Sequence, residues 1–212
     1  TVGQVNEGIY KYRGFDASLN WNDKAGDFHY SIGATMSYLN SEVVNVNQAY
    51  QEYDYLYTKG NRVGQMYGLE AIGFFNSQQE INNSPQQTFS GIAPGDVKYK
   101  DLNGDHKIDI NDKSAIGYPT YPLLNGNLQA GFSWKGFDFS MTWAGAFKTS
   151  RLVSSIYRTP FGQTGTNSLM QYMIDDAWTP EKGNSAKAPA ISLTGSKTNN
   201  YQDSDLWLRD AS

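Results

Sequence analysis

Along residues 15–22 apolar and polar side chains alternate without a break. Phe15, Ala17, Leu19 and Trp21 fall on one side of an extended chain, and Asp16, Ser18, Asn20 and Asn22 on the other. Asp-Lys-Ala-Gly-Asp at 23–27 reads as a turn. Beyond it Phe28, Tyr30, Ile32, Ala34, Met36 and Tyr38 alternate with His29, Ser31, Gly33, Thr35 and Ser37. Every position of 15–22 and 28–38 obeys a period of two, which is the period of a strand with two unlike faces. At 39% hydrophobic content, random placement would produce that pattern roughly once in a million. A second hairpin repeats it. Leu128, Ala130, Phe132 and Trp134 alternate with Asn127, Gln129, Gly131 and Ser133. Lys135-Gly136 makes a two-residue turn, and Phe137, Phe139, Met141 and Trp143 then alternate with Asp138, Ser140 and Thr142. Such strands reach the roughly 9–11 residues that a tilted membrane-spanning strand needs.

Alternation alone also fits an antiparallel sheet with one face on a soluble core. Two features point to lipid instead. Both hairpins set Trp before the turn and Phe after it on the apolar side, Trp21 with Phe28 and Trp134 with Phe137. Amphipathic aromatics at a common depth form an interfacial girdle. The connections are also lopsided. The turns inside the hairpins are tiny, whereas Leu39 to about Leu124 is a long excursion and so is everything after Phe147, the asymmetry of outer-membrane barrels. Asp16, Asn20, His29, Gln129 and Asp138 would need partners in a dry core, but simply face water inside a wide barrel. Four strands cannot close a barrel, and an open sheet edge is not tolerated in lipid. The predicted fold class is therefore all-β: antiparallel hairpins of a larger transmembrane β-barrel, with long extracellular loops and short helices. The chain divides into a barrel hairpin (1–39), a long extracellular loop (40–123), a second barrel hairpin (124–147) and a further extracellular loop leading towards the next strand (148–212). It opens on Thr1 with no leader segment, so it is expected to be a piece cut at both ends from something longer.

Composition narrows the classes. The chain has 212 residues with 17 Lys plus Arg against 21 Asp plus Glu, a net charge of −4 that argues against a nucleic-acid partner. Aromatics reach 14% and glycines number 21, which suits β-structure and excludes a disordered chain. Cysteine is absent, which removes disulfide scaffolds, thiolate metal sites and Cys nucleophiles. No stretch approaches the roughly 18 continuous apolar residues of a membrane helix. Ala71–Phe75, interrupted by Gly73, is about the longest apolar run.

The long loop carries one sharp motif, Asp-Leu-Asn-Gly-Asp-His-Lys-Ile-Asp-Ile-Asn-Asp at 101–112. Numbered as an EF-hand-like calcium loop, it places side-chain oxygens at positions 1, 3, 5, 9 and 12: Asp101, Asn103, Asp105, Asp109 and Asp112. Lys107 at position 7 offers its backbone carbonyl, and Ile108 ties the loop to a neighbouring core. Calcium takes six to eight hard oxygens, and alternate positions of a tightly wound loop deliver them to one centre. The pattern departs from that template twice. His106 stands where Gly usually makes the sharp turn, and Asp112 where a bidentate Glu is usual. The same residues also suit an Asp/Asn-rich loop held by its own side-chain-to-backbone bonds. A structural Ca2+ is the expected cofactor, since a saturated oxygen cage leaves no open position for chemistry.

No enzyme motif accompanies it. His29 and His106 lack a Ser and carboxylate in a recognisable arrangement, and no phosphate-binding Gly loop follows a strand. Asp175 and Asp176 could serve as general acid and base. They read better as the solvated side of a short helix from a Ser168 cap to Trp178, ended by Pro180. Tyr50, Tyr53, Tyr55 and Tyr57 could touch sugars, although a run of tyrosines is more often packing.

Several stretches resemble one family in its own order. Ala93-Pro94-Gly95-Asp96-Val97-Lys98-Tyr99-Lys100-Asp101-Leu102-Asn103-Gly104-Asp105, continuing to Ile116-Gly117, resembles a signature of the SusC/RagA family of TonB-linked outer-membrane receptors. So does Gly64-Gln65-Met66-Tyr67-Gly68, followed by Ile72-Gly73-Phe74-Phe75 and Gln79-Glu80-Ile81. Gly14 to Trp21 is similar to a barrel strand of that family. Trp178-Thr179-Pro180 and Asp205 to Ser212 are similar to its late extracellular loop, just before another strand. The resemblance implies a parent barrel of about 22 strands, plugged by an N-terminal domain, that imports glycans or peptides with energy passed from TonB. A SusD-like surface lipoprotein would cap it in the outer membrane of a Gram-negative cell. The plug, the TonB-contacting segment and the final strand fall outside this chain, which alone is not expected to transport anything. Two other readings stay open. One is a soluble, calcium-stabilised carbohydrate-binding β-domain whose aromatics form a sugar platform. The other is a dockerin-like module, which needs two calcium loops in tandem where only one is found.

Overall fold

A computed structural model describes residues 7–161, 168–192 and 198–212. Two long strands open it, β1 (Ile9–Ala25) and β2 (Phe28–Asn45). Six short strands follow: β3 (Met66–Gly68), β4 (Ala71–Phe74), β5 (Gln86–Gln87), β6 (Val97–Tyr99), β7 (Lys107–Ile108) and β8 (Ser114–Ile116). Then come β9 (Leu124–Trp134), β10 (Phe137–Phe147), β11 (Ser150–Leu152) and β12 (Leu208–Asp210). The helices are single turns or little more: α1 (Gln78–Asn82), α2 (Ser155–Arg158) and α3 (Gln171–Asp176).

The long strands form one antiparallel sheet in the order β1-β2-β9-β10. Local sequence explains the turns. Gly26-Asp27 joins β1 to β2, and Gly26 at φ 63° supplies a left-handed residue there. Lys135 (φ 46°) and Gly136 (φ 84°) join β9 to β10 with both φ angles positive, the signature of a type I′ hairpin whose twist matches its strands. The turn read at 23–27 is thus only two residues long. Asp23, Lys24 and Ala25 stay in the ladder opposite Tyr30, His29 and Phe28. At their other ends both strands of the first hairpin outrun the alternating pattern, starting at Ile9 and ending at Asn45.

Residues 46–123 and the described part of 148–212 fold together at the end of the sheet away from the tight turns. Their core is Leu69, Phe74, Val97, Tyr99 and Ile108, all buried, with Phe89, Trp178, Ala186 and Leu206 packed against it. The two segments are therefore one body with a shared core. The helix read from Ser168 to Trp178 is shorter than expected. It begins at Gln171 behind Met170, which makes no side-chain cap bond, and ends at Asp176. Trp178 N–H donates instead to Ala188 O, and a parallel bridge Ala177–Ala188 takes over. Tertiary pairing here overrides the local cap signal.

Candidate functional site

The sheet presents two coherent faces. Apolar residues meet apolar residues across all four strands. The rows include Phe15–Tyr38–Leu124–Phe147, Leu19–Ala34–Leu128–Trp143, Trp21–Ile32–Ala130–Met141 and, at the turns, Ala25–Phe28–Trp134–Phe137; one row, Asp23–Tyr30–Phe132–Phe139, carries a carboxylate near the turn, to which Tyr30 OH donates at 3.3 Å. On the opposite face polar rows match in the same way: Asn20–Gly33–Gln129–Thr142, Asn22–Ser31–Gly131–Ser140 and Lys24–His29–Ser133–Asp138. A slip of one residue at any pairing would mix the faces, so the pattern fixes the register. None of the described residues covers the apolar side: Leu19 is 68% exposed, Trp21 57% and Phe137 60%. From Phe28 to Tyr38 the apolar rows run about 34 Å along the strand. At a barrel tilt near 40° that projects to about 26 Å, against a lipid-facing band of about 25 Å.

Aromatics gather at the turn end. Phe28 lies in one row with Trp134 and Phe137, and the Phe132 ring sits 5.3 Å from Phe28, 6.0 Å from Phe137 and 5.4 Å from Phe139. Trp21 does not share that row. It pairs with Ile32, two apolar rows further along, because β1 continues to Ala25 before it turns. The aromatic row at the turns is thus made by Phe28, Trp134 and Phe137, without Trp21.

The 101–112 loop is wound as its spacing requires. His106, at the position that favours Gly, adopts φ 62°, and Gly104 adopts φ 76°. The Asp101 carboxylate accepts N–H bonds from Gly104 (2.7 Å) and His106 (2.9 Å). Asn103 Oδ1 accepts from Asp105 N–H, and Asp105 Oδ1 from Lys107 N–H. Buried Asp112 accepts from Leu102 N–H with one oxygen and from Asp109 N–H with the other, joining the two ends of the loop. The Lys107 ammonium pairs with Asp109 at 3.0 Å. The Asn111 N–H, with Lys107 beside it, holds the Asp109 carboxyl below the usual carboxylate range. Ile108 buries completely in the neighbouring core. The predicted ligands thus share one loop, but among the described residues no three His, Cys, Asp or Glu side chains are drawn into a metal cage.

The tyrosines divide. Tyr55 OH donates to Asn111 O at 2.6 Å, and its ring stacks on Tyr53. Partial burial pushes the Tyr55 hydroxyl up to about 12, with the negative charges of Asp112, Asp105 and Asp101 adding to it. Tyr57 OH bonds to Gln51, so Tyr55 and Tyr57 are packing residues, while Tyr50 stands 85% exposed.

Sequence reading missed the clasp that joins the two segments of the body. Asn200 Oδ1 accepts from Val97 N–H (2.9 Å), and Asn200 Nδ2 donates to Asp96 Oδ1 (2.8 Å). Gln87 Nε2 donates to Val97 O and to Asn199 Oδ1, and Gln87 Oε1 accepts from Tyr99 N–H. Tyr99 OH donates to Asn199 O and Trp207 Nε1–H to Asn200 O. Gln87, Asp96, Asn199 and Asn200 are all buried. Polar residues in loop sequence carry no local mark of burial, so no spacing rule would have found them.

A long antiparallel sheet with one uncovered apolar face and one polar face is the material of transmembrane β-barrels. No protein-family model matches the chain. Over 142 residues, 66% of its length, it is 29% identical to TonB-dependent receptor P26 of Formosa agariphila, and the match takes in 14% of that protein. Among solved structures, the RagAB peptide transporter aligns with a TM-score of 0.65 at 18% identity, over 97% of this chain and 22% of that one. The RagAB peptide importer in its open-open state aligns at 0.63 and 19% identity, over 96% and 21%. The chain thus spans only a small part of the proteins it matches, and the structural likeness is one of fold. Together with the ordered motifs, these likenesses support a SusC/RagA-like segment of a TonB-dependent receptor.

Proposed function

We propose that this chain forms part of the wall and outer mouth of a TonB-dependent outer-membrane importer of nutrients, glycan or peptide, working with a SusD-like surface lipoprotein. The observation that carries this reading is the uncovered apolar face, in register over four strands and of hydrocarbon height. In this reading the polar face looks into a water-filled lumen, the body of 46–123 and 148–212 lies outside the cell, and the tight turns face the periplasm. The chain contributes walls and a mouth rather than catalysis. A soluble sugar-binding domain is disfavoured, since it would have to leave this face in water. Single cysteines test the reading in the full receptor in its own membrane. Gln129→Cys and Asn20→Cys should react with a membrane-impermeant maleimide, while Leu19→Cys and Phe139→Cys should react at least tenfold more slowly. Equal labelling of both sets would refute it.

The 101–112 loop is proposed to take a structural calcium ion through Asp101, Asn103, Asp105, Asp109, Asp112 and the Lys107 carbonyl. The left-handed turn at His106 and the winding of 101–112 by the side chains of Asp101, Asn103 and Asp105 support this. Binding would require Asp109 to leave Lys107 and the carboxylates to turn inward. The ion would supply charge neutralisation and rigidity to the mouth of the barrel.

A further inference from the structure

The geometry points to a binding site for a phosphorylated lipid headgroup at the loop end of the apolar band, formed by Lys148 and Arg13; it rests on the membrane reading above. The band ends at the row Phe15–Tyr38–Leu124–Phe147. Lys148 follows Phe147 directly, and its φ of 56° turns the chain out of the strand. Its ammonium returns over the apolar face and sits 5.6 Å from the centroid of the Tyr38 ring. Arg13 is the next residue beyond Phe15 on that face, and the residue opposite it is Asn40, not an acid. The Phe15 and Tyr38 rings lie 5.9 Å apart. Lys148 thus lies over Tyr38, and Arg13 occupies the next position of the same face on the adjacent strand. Arg13 stands diagonal to Tyr38 across the β1–β2 ladder, about 7–8 Å away, so an extended Arg13 side chain can approach the Lys148 ammonium that already lies over the Tyr38 ring.

Both side chains are exposed, and neither takes part in an ion pair among the described residues. Lys11 is left out because Glu42 stands opposite it in the ladder. Asp210, further along the chain from Lys148, is engaged by Ser212 N–H. Cations held over an aromatic ring at the end of an apolar band lie at headgroup depth, with their stems in the apolar layer. There an anionic headgroup is the available counter-charge. Each cation near such a surface is worth about fivefold in binding, about 30-fold for the pair.

The test uses the full receptor chain in non-ionic detergent, with lipid A and the same lipid stripped of its phosphates as probes, read by native mass spectrometry. The wild type should retain the phosphorylated lipid, and Lys148→Gln with Arg13→Gln should bind it about 30-fold more weakly. Lys59→Gln, an exposed lysine of the body away from the apolar band, should change nothing, and inorganic phosphate should not compete. Equal retention by the double variant, equal retention of the dephosphorylated lipid, or competition by inorganic phosphate each overturns the proposal. A receptor that keeps neither lipid and stays monodisperse without detergent overturns the membrane reading itself, and this site with it.

Discussion

Asn200→Ala should open the clasp that makes one body of two distant loop segments. The side chain is fully buried and joins two groups that are themselves buried, Val97 N–H at 2.9 Å and the Asp96 carboxylate at 2.8 Å. Truncation leaves a neutral donor and a charged acceptor each short of one partner. A buried group left unpaired costs about 1–3 kcal/mol, with carboxylates towards the upper end. A joint loss of about 3 kcal/mol speeds opening of the clasp about 150-fold. The Leu69 amide reports that opening, because it donates across the clasp to Asp203 O at 2.9 Å and Leu69 itself is buried. Native-state hydrogen exchange on the full receptor would show Leu69 exchanging about 150-fold faster, while sheet amides such as Ile32 and Ala130 keep their rates. Gln202→Ala, which removes a surface amide bonded to Thr198 O, should stay within about twofold. If Leu69 exchange does not change, or if sheet and body amides accelerate together, the clasp is not a separate joint and the reasoning fails.

Other outcomes follow from the same contacts. Asp101→Ala with Asp105→Ala should lower the melting temperature of the body only when calcium is present, and equal effects with and without the ion would count against the cage. Tyr55 has a folded pKa near 12, above the ordinary phenol value of 10, so it favours folding while protonated. That contribution is fully present below pH 10 and is lost as pH rises towards 12; Tyr55→Phe should flatten the alkaline fall in body stability followed by tryptophan fluorescence. Gly136→Val should destabilise the second hairpin by about 1–2 kcal/mol, because φ 84° suits no β-branched side chain; reduced heat resistance of the folded barrel on gels would show it. Gly95→Ala sets a Cβ 2.5 Å from Ala190 Cβ and 2.6 Å from the Trp178 ring at φ 90°. It should cost about 2–4 kcal/mol and expose Trp178 to quencher, and unchanged quenching would mean that the 93–105 motif is not packed there.

What the sequence revealed was what is local. Alternation is a two-residue signal, so Phe15 to Trp21 and Leu128 to Trp134 could be assigned a face before any partner was known. Lys135-Gly136 needed only turn chemistry. The ends of β1 and β2 were missed because the apolar pattern stops where the strands leave the band, while the ladder continues to Ile9 and Asn45. Ser168 looked like a helix cap, yet the backbone of Ala177 and Trp178 found better partners around Ala188. Asp101 to Asp112 shows a different limit. Spacing fixes which oxygens share a loop, but the same spacing lets them face an ion or their own N–H groups. Asn199 and Asn200 lie over a hundred residues from the groups they hold, beyond the reach of any periodicity.

The place where the body is attached bears on what it can do. On β2 the even-numbered residues from Phe28 to Tyr38 carry the apolar face, so Ser41 and Val43 belong to the polar one. Both are buried, and buried by the body. Ser41 Oγ shares a 2.6 Å hydrogen bond with Tyr121 OH and accepts Val63 N–H, while Tyr121 OH also bonds Val63 O at 2.7 Å. Val43 exchanges backbone bonds with the 60–61 turn. The body is therefore anchored on the side of the sheet opposite the apolar rows. In the closed barrel proposed above that side would be the lumen, and the anchored body would lean over it and leave the apolar band free. Soluble packing would place the body on the apolar face, where burial yields most. In the proposed importer, a body held on the wet face would narrow the mouth of the barrel.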